Sequence, residues 1–438
     1  MKKYLQLLIL TVATAMTAMA AETGAPFNHG RLKVDATGRY LEHADGTPFL
    51  YMGDTAWELL ARLNYKEACR YLDNRAAKGF TVIQAVVLTE LDGLTEAQEP
   101  YLEHIDSVLT YAEQLGLYMA LVPTWGDKVD KQWGQGPEVF QPGNARAYGN
   151  LLAKRWHQRP NIIWIIGGDR SGEGKNKAVW NALAQGIKEV DRQHLMTYHP
   201  HGEHSSAMWF HQEDWLDFNM IQTGHCQQDY TIYRRLLWPD RTLTPTKPVM
   251  DGEPRYEDIP RNFKPEEGRF TASDVRRTLY QSMLSGACGY TYGNNNIWQM
   301  YAPGREPQCH ADKYWYEALD MDGACQLIHF IQLWQETAFS KGHPMPNSVK
   351  ACDGYSEDEA VAFETKDNII CYFPGGKQWV LDLPDAWQEG YEVQWMDPRT
   401  GEITILGTDS SRQLHVMLPA STADKADWVI IIKKHQSN

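Results

Sequence analysis

Two short apolar runs in this chain each end in a carboxylate. In the first, Ile162–Ile166 is followed by Gly167, Gly168 and Asp169. The second, Lys-Pro-Val-Met-Asp-Gly-Glu, closes on Glu253. Runs this short, bounded by proline and glycine, suit strands buried on both faces. The paired glycines remove side chains where the first strand opens out, so another group can approach its backbone closely. Two buried strands that each deliver a carboxylate point to an acid/base pair. The rest of the chain reads as the scaffold that brings them together.

That scaffold begins with a β-rich lead-in around Leu32–Leu41, placed either at the bottom of the next unit or in the C-terminal one. From Phe49 a strand–loop–helix pattern repeats. The expected strands are Phe49–Met52, Phe80–Leu88, Leu117–Val122, Ile162–Ile166, Leu195–Tyr198, Phe218–Gln222, Pro248–Met250 and Cys288–Tyr292. Helices are expected between them, among them Tyr65–Lys78, Ala145–His157 and Ala272–Leu284, and a last one over Lys313–Thr337. The fifth unit is irregular over Glu203–Trp215, with room for only a short helix. Eight right-handed parallel crossovers close into a (β/α)8 TIM barrel. Beyond Gly342, Pro344 and Pro346 mark a boundary, and short alternating segments spaced by about ten residues predict a small all-β sandwich. The expected organisation is a leader over residues 1–21, a barrel with its lead-in over 22–342, and the sandwich over 343–438.

The chain has 438 residues, 43% of them hydrophobic, with 16 tryptophans and a net charge of −14. This is a core-rich composition. The charge disfavours nucleic acid as a partner, because phosphate binding needs a basic face. An acidic carbohydrate would need only a local basic pocket. Lys2 and Lys3, an apolar stretch from Tyr4 to about Ala15, and Ala18-Met19-Ala20 read as a secretory signal peptide cut near Ala20 or Ala21. Its apolar segment is too short to span a membrane, and no later segment is apolar enough. A soluble exported protein, periplasmic in a bacterium, is expected. The seven cysteines lack C-x-x-C pairs, so they are expected to be mostly small buried residues, with room for one bridge.

In such a barrel the active site lies at the C-terminal ends of the strands. That rule selects Asp54, Trp57, Thr89, Glu90, Trp125, Asp127, Asp169, Arg170, His199, His201, His225, Glu253, Arg255, Asn294 and Asn295. Aromatic platforms for sugar C–H faces, with acids and amides for the hydroxyls, would look like this. Asp54, Trp57, Trp125, Arg170, His199, His201, His225, Arg255 and Asn294 are the candidate substrate contacts. Each has a bland alternative: Asp54 as a helix cap, the tryptophans as rim packing, Asn294 as a cap after the last strand. Asp251 is read as support for Glu253. Glu90 and Asp127 compete as acids. His199, His201 and His204 lie two and three apart on a loop, without helical metal-ligand spacing, so no metal and no cofactor is expected.

Strands four and seven face each other across the mouth, so Asp169 and Glu253 can address one bond. Glycosidic cleavage needs one protonated acid for the leaving oxygen and one carboxylate to attack or to activate water. Acid/base on strand four and nucleophile on strand seven is the arrangement of the large retaining barrel clan of glycosidases. By that resemblance Asp169 is the acid/base and Glu253 the nucleophile. Burial would raise the Asp169 pKa, and Arg170 or Arg255 would keep Glu253 ionised. The clan usually carries Asn-Glu where this chain has Gly-Asp. Aspartate is one methylene shorter, so the substrate or the loop must come closer, which the glycines allow.

Four motifs together resemble glycoside hydrolase family 140, the apiosidase-like barrels. They are Gly-Asp-Thr-Ala-Trp after strand one, Lys-Gly-Phe-Thr-Val-Ile-Gln at strand two, Ile-Ile-Trp-Ile-Ile-Gly-Gly-Asp at strand four and Asp-Gly-Glu-Pro-Arg-Tyr-Glu at strand seven. The resemblance covers about residues 28–340. The remainder is similar to the β-domain that follows this barrel in the family, sometimes labelled collagen-binding, although nothing in residues 345–438 implies collagen. The resemblance implies hydrolysis of apiosyl linkages in the pectin rhamnogalacturonan II, with Asp169 and Glu253 in the catalytic roles. A pectic substrate would suit Arg170, Arg255 and Lys128 near the acids. The alternatives are a barrel acting on another furanoside, a glycan-binding barrel without catalysis, and a metal-dependent hydrolase using the His199–His204 loop.

Overall fold

The structure is a computed structural model and describes residues 25–88, 98–226, 229–352, 356, 359–376, 378–419 and 427–435. The expected leader and Glu90 lie outside the described residues.

Eight parallel strands form the barrel wall: Tyr51–Thr55, Val82–Leu88, Tyr118–Thr124, Ile162–Gly167, Met196–His199, Asn219–Gln222, Val249–Asp251 and Gly289–Tyr292. Their hydrogen-bonded order is 5-4-3-2-1-8-7-6, with the two-residue strand His204–Ser205 antiparallel on strand six. Strands five and six close the ring without a regular ladder. The Asp217 N–H donates to Met196 O at 2.8 Å, and Thr197 Oγ1 donates to Phe218 O at 2.7 Å. Every residue of strand four is buried, as its unbroken apolar run requires in a sheet covered on both faces. Strand one begins at Tyr51 rather than Phe49, because Pro48–Phe49 pairs with Leu41–His43 in the lead-in sheet.

The lead-in forms an antiparallel sheet of Leu32–Val34, Leu41–His43 and Pro48–Phe49. Phe27 and Phe49 each set a ring 5.1 Å from Tyr118 at the start of strand three. The sheet therefore seals the barrel bottom, one of the two places open to it.

The helix Ala272–Leu284 has the expected bounds and a Thr271/Asp274 capping box. The last helix is Asp322–Glu336, starting nine residues later than expected. The Asp312 and Lys313 N–H groups donate to Asn296 Oδ1, and Lys313 Nζ reaches Asp258 Oδ2 at 2.8 Å. The start of the expected helix is thus spent in bonds to the loop after strand eight. In the fifth unit the helix is only Ala207–Phe210.

The C-terminal residues form a six-stranded and a three-stranded antiparallel sheet. They enclose a core that includes Trp379, Trp387, Cys371 and Ile430. The sheets meet the barrel on Ala272–Leu284. Tyr280 stacks on Tyr372 with centroids 4.9 Å apart, and buried Arg276 pairs with buried Asp427 at 2.7 Å. All seven cysteines are unbridged. Only Cys288 and Cys371 are buried, fewer than expected; Cys226 and Cys309 line the cavity described next.

Candidate active site

A cavity of about 860 Å³ opens at the C-terminal end of the strands. Asp169 and Glu253 both line it.

Glu253 follows strand seven across Gly252, whose Cβ position would lie 2.4 Å from Met220 Sδ, so a side chain there would require Met220 to move. Its side chain is 8% exposed and flanked by three N–H groups, two of which hydrogen-bond it. Gln222 Nε2 donates to Oε1 at 2.8 Å. His225 Nε2 stands 3.0 Å from the same oxygen, and His199 Nε2 3.0 Å from Oε2. The opposite nitrogen of each imidazole faces a backbone amide. The Tyr256 N–H donates to His225 Nδ1 at 3.3 Å, and the Asp169 N–H to His199 Nδ1 at 3.4 Å. A backbone N–H can only donate, so each Nδ1 accepts and each Nε2 carries the hydrogen; that of His225 bonds Glu253 Oε1, while that of His199 lies beside Oε2 without hydrogen-bond alignment. Burial works to raise the Glu253 pKa, but the imidazole N–H groups of His199 and His225 beside it outweigh burial and hold the carboxylate well below its usual range.

Asp169 is treated in the opposite way. Burial first, and then the charge of Glu253, push its pKa up to about 6, against weaker pulls from His199, Arg170 and Trp133. Its backbone is unusual. Gly167, Gly168 and Asp169 take φ of 95°, 128° and 60°, three left-handed residues in succession. A non-glycine residue pays for that conformation, and such outliers concentrate at functional sites. The glycines are also sterically required. A Cβ on Gly167 would sit 2.6 Å from His199 O, and one on Gly168 2.9 Å from the Gly126 amide nitrogen. This tight turn brings Asp169 against the His199 ring.

Trp57 and Trp125 wall the same place. Their rings lie 5.1 Å apart, and 5.2 and 5.9 Å from His199. Trp57 is only 4% exposed, whereas Trp125 is half-buried and the more available as a sugar platform. His201 reaches the cavity, with a ring 3.7 Å from His204 and a pKa lowered to about 4 by burial and then by His204.

Four of the expected substrate contacts are placed elsewhere. Asp54 is fully buried outside the barrel wall, bonded to Arg75 and Tyr71 of the following helix. Strand residues alternate between faces, and Asp54 falls on the helix side. Asn294 caps the short helix Asn295–Trp298, its side chain accepting from the Asn296 N–H at 2.9 Å. Arg255 is buried under Tyr230 and donates to Asp229 O. Arg170 is also fully buried, donating to Asp130 O, Lys131 O and Asp169 O. Neither arginine holds Glu253; the histidines and Gln222 do. Lys128 is spent on Gly136 O. Asp251 turns towards the helix side, bonded to Thr223 and Ser282, and does not support Glu253. Asp127 lines the cavity, yet its Oδ2 accepts the Gln135 and Gly136 N–H groups, which occupies it in a loop.

Sequence reasoning missed Gln222, Tyr256 and Trp133. Gln222 is the last residue of strand six and was passed over for the residues just beyond it. Tyr256 sets its ring 4.2 Å from His225, and burial followed by the Glu253 charge keeps its hydroxyl protonated. Trp133 lies on a loop well past strand three, where no periodicity marks it. Among the described residues no group of three or more His, Cys, Asp or Glu is arranged to hold a metal ion.

A barrel with two unlike carboxylates at one mouth is a frame shared by many enzymes, so comparison decides the family. The family model described as "Apiosidase-like, catalytic domain" matches residues 35–341. The chain belongs to the apiosidase-like family. A second model, described as "Putative collagen-binding domain of a collagenase", matches residues 344–433. A solved structure titled "Glycoside hydrolase" is 32% identical with a TM-score of 0.86, and the match covers 94% of this chain and 99% of that one. Another, titled as a glycoside hydrolase family 5 protein from Bacteroides vulgatus, is also 32% identical with a TM-score of 0.87, over 94% of this chain and 95% of that one. No curated protein matches. This apiosidase-like chain is therefore a glycoside hydrolase, and its substrate is a carbohydrate. Among the described residues no helix is long and apolar enough to cross a membrane.

Proposed function

We propose that the chain is an exported, retaining apiosidase that cleaves apiosyl linkages in pectic rhamnogalacturonan II, with Asp169 as acid/base and Glu253 as nucleophile. The observation that carries the catalytic reading is the opposite treatment of two carboxylates in one cavity. Two hydrogen bonds and the adjacent His199 imidazole keep Glu253 ionised, while burial and the Glu253 charge keep Asp169 protonated. In the first step Glu253 attacks the anomeric carbon and Asp169 gives its proton to the leaving oxygen. In the second, Asp169 takes a proton from the water that releases the sugar. His199, His225 and Gln222 keep the nucleophile oriented while its charge is consumed and restored.

The match to the apiosidase-like family supports the substrate. The cavity charge supports a neutral sugar between the two acids. Glu58, Asp127, Asp169, Glu203 and Glu253 line it, and among its described lining residues the only lysine or arginine is Arg62, 3.5 Å from Glu58. A uronic acid of the pectic backbone would lie out towards Arg62, since like charge repels it elsewhere. Export rests on the N-terminal leader pattern of residues 2–20. Incubation with a panel of pectic oligosaccharides, some containing apiose, tests the reading. Release of free apiose is expected. Release of a different furanose, or binding of the fragments without cleavage over long incubation, would overturn it.

A further inference from the structure

The carboxylate of Asp169 has one side-chain hydrogen-bond donor that the acid pair itself does not require. Trp133 Nε1 donates to Asp169 Oδ2 at 3.0 Å. Its ring remains 65% exposed and lines the cavity. An exposed tryptophan on a loop is ordinarily free to swing, but this one is fastened. The Arg170 guanidinium lies under the indole, 4.4 Å from its centroid. The same guanidinium donates to Asp130 O at 2.6 Å, Lys131 O at 2.9 Å and Asp169 O at 2.8 Å. One buried cation thus ties the Trp133 loop to the backbone of the acid. Asp127 fastens the far side of the loop through the Gln135 and Gly136 N–H groups. Gly134 completes the turn, since a Cβ there would sit 2.3 Å from Asp127 Cβ.

We propose that Trp133 is a positioning residue for the acid/base, holding Asp169 Oδ2 so that the transferable proton resides on Oδ1. This rests on the reading of Asp169 as acid/base. The chemistry follows from the indole, which is a donor only. It bonds a carboxylate oxygen that bears no hydrogen, in the ionised and the protonated acid alike. The carbonyl oxygen is the better acceptor of the two, so this bond favours the proton on the other oxygen and opposes the rotation that would exchange them. The sequence contains the parts of this bracket, Asp127, Trp133, Gly134 and Arg170, but places them up to 43 residues apart.

The titratable and charged groups facing Asp169 are Glu253, His199 and Arg170, with Tyr198 and Cys226 farther out. The test must separate Asp169 from these. It uses the indole Nε1–H signals of the full-length protein labelled with nitrogen-15, followed against pH. One signal is expected to vanish in Trp133→Phe. In the wild type that same signal is expected to shift with a single midpoint, and in Asp169→Asn it should no longer titrate. A Trp133 signal that does not move, or that titrates unchanged in Asp169→Asn, overturns the proposal. This readout needs no substrate, so it stands or falls apart from the substrate assignment.

Kinetics supply the second arm, on whichever glycoside the wild type turns over. Trp133→Phe keeps an aromatic ring near Arg170 and removes the N–H donor together with the second ring, so the aglycone comparison carries the test. The variant's kcat/KM, which reports the first step, should fall roughly tenfold more on an alkyl aglycone, which needs the proton, than on a nitrophenyl aglycone, which does not; that is the scale of one charge-assisted hydrogen bond. Equal loss on both would assign Trp133 a merely structural or sugar-stacking role.

Discussion

His199 Nε2 lies 3.0 Å from Glu253 Oε2, and the backbone amide that fixes the ring from its other side belongs to Asp169. One imidazole therefore connects the strand-end of one acid to the side chain of the other. It orients the nucleophile only as long as the Gly167–Asp169 turn presents that amide.

Replacing His199 by alanine removes one donor from Glu253 and leaves the carboxylate less stabilised. Its pKa should rise, so the acidic limb of the kcat/KM profile should move to higher pH, with a loss of roughly ten- to hundredfold at the optimum. His225→Ala should act in the same direction. A pH profile of each variant checks this, and an unmoved acidic limb would remove the histidines from that role.

The wild-type profile should be bell-shaped. Activity requires Glu253 ionised and Asp169 protonated. The lowered pKa of Glu253 places the rising limb below the usual carboxylate range, and the raised pKa of Asp169 places the falling limb near pH 6. The optimum is therefore acidic, and both limbs belong to the pair rather than to either residue alone. Initial rates up to pH 8, started as far below pH 3 as the enzyme stays folded, measure it; an optimum above neutrality would contradict the assignment.

Asp169→Ala and Glu253→Ala should both retain the fold and lose hydrolysis, Asp169→Ala by roughly 10²–10⁴-fold. Azide should rescue Asp169→Ala on a substrate with a good leaving group and yield a glycosyl azide of retained configuration. Retention in the wild type, read by proton NMR of the first-formed anomer, goes with carboxyl groups about 5–5.5 Å apart; inversion would require about 6.5–9.5 Å.

Asp54→Ala tests a different claim. Asp54 and Arg75 are both fully buried, so removing the acid strands an unpaired guanidinium. A loss of about 3–5 kcal/mol is expected in urea denaturation. The KM of the folded fraction should stay unchanged, because Asp54 does not reach the cavity. A raised KM with unchanged stability would return it to the substrate.

Much of this molecule was legible in the order of its residues. Period and punctuation marked all eight strands to within three residues at each end, because a strand buried on both faces must be largely apolar and must end where glycine, proline or polar groups take over. Counting those strands singled out Asp169 and Glu253 and put His199, His201, His225, Trp57 and Trp125 at the same mouth. What the one-dimensional pattern could not decide is which way a strand-end side chain turns. A shift of one residue exchanges the barrel side for the helix side. That is why Asp54 and Asp251 read as site residues yet face helices, and why Arg255 and Asn294 serve the loops. The partners of Glu253 also required tertiary structure. Gln222, His225 and His199 come from strands five and six and the loop after strand six, and only closure of the ring sets them around one carboxylate. Trp133 is the plainest case: nothing local marks a loop tryptophan, and its bond to Asp169 exists because Arg170 folds that loop back across the barrel mouth.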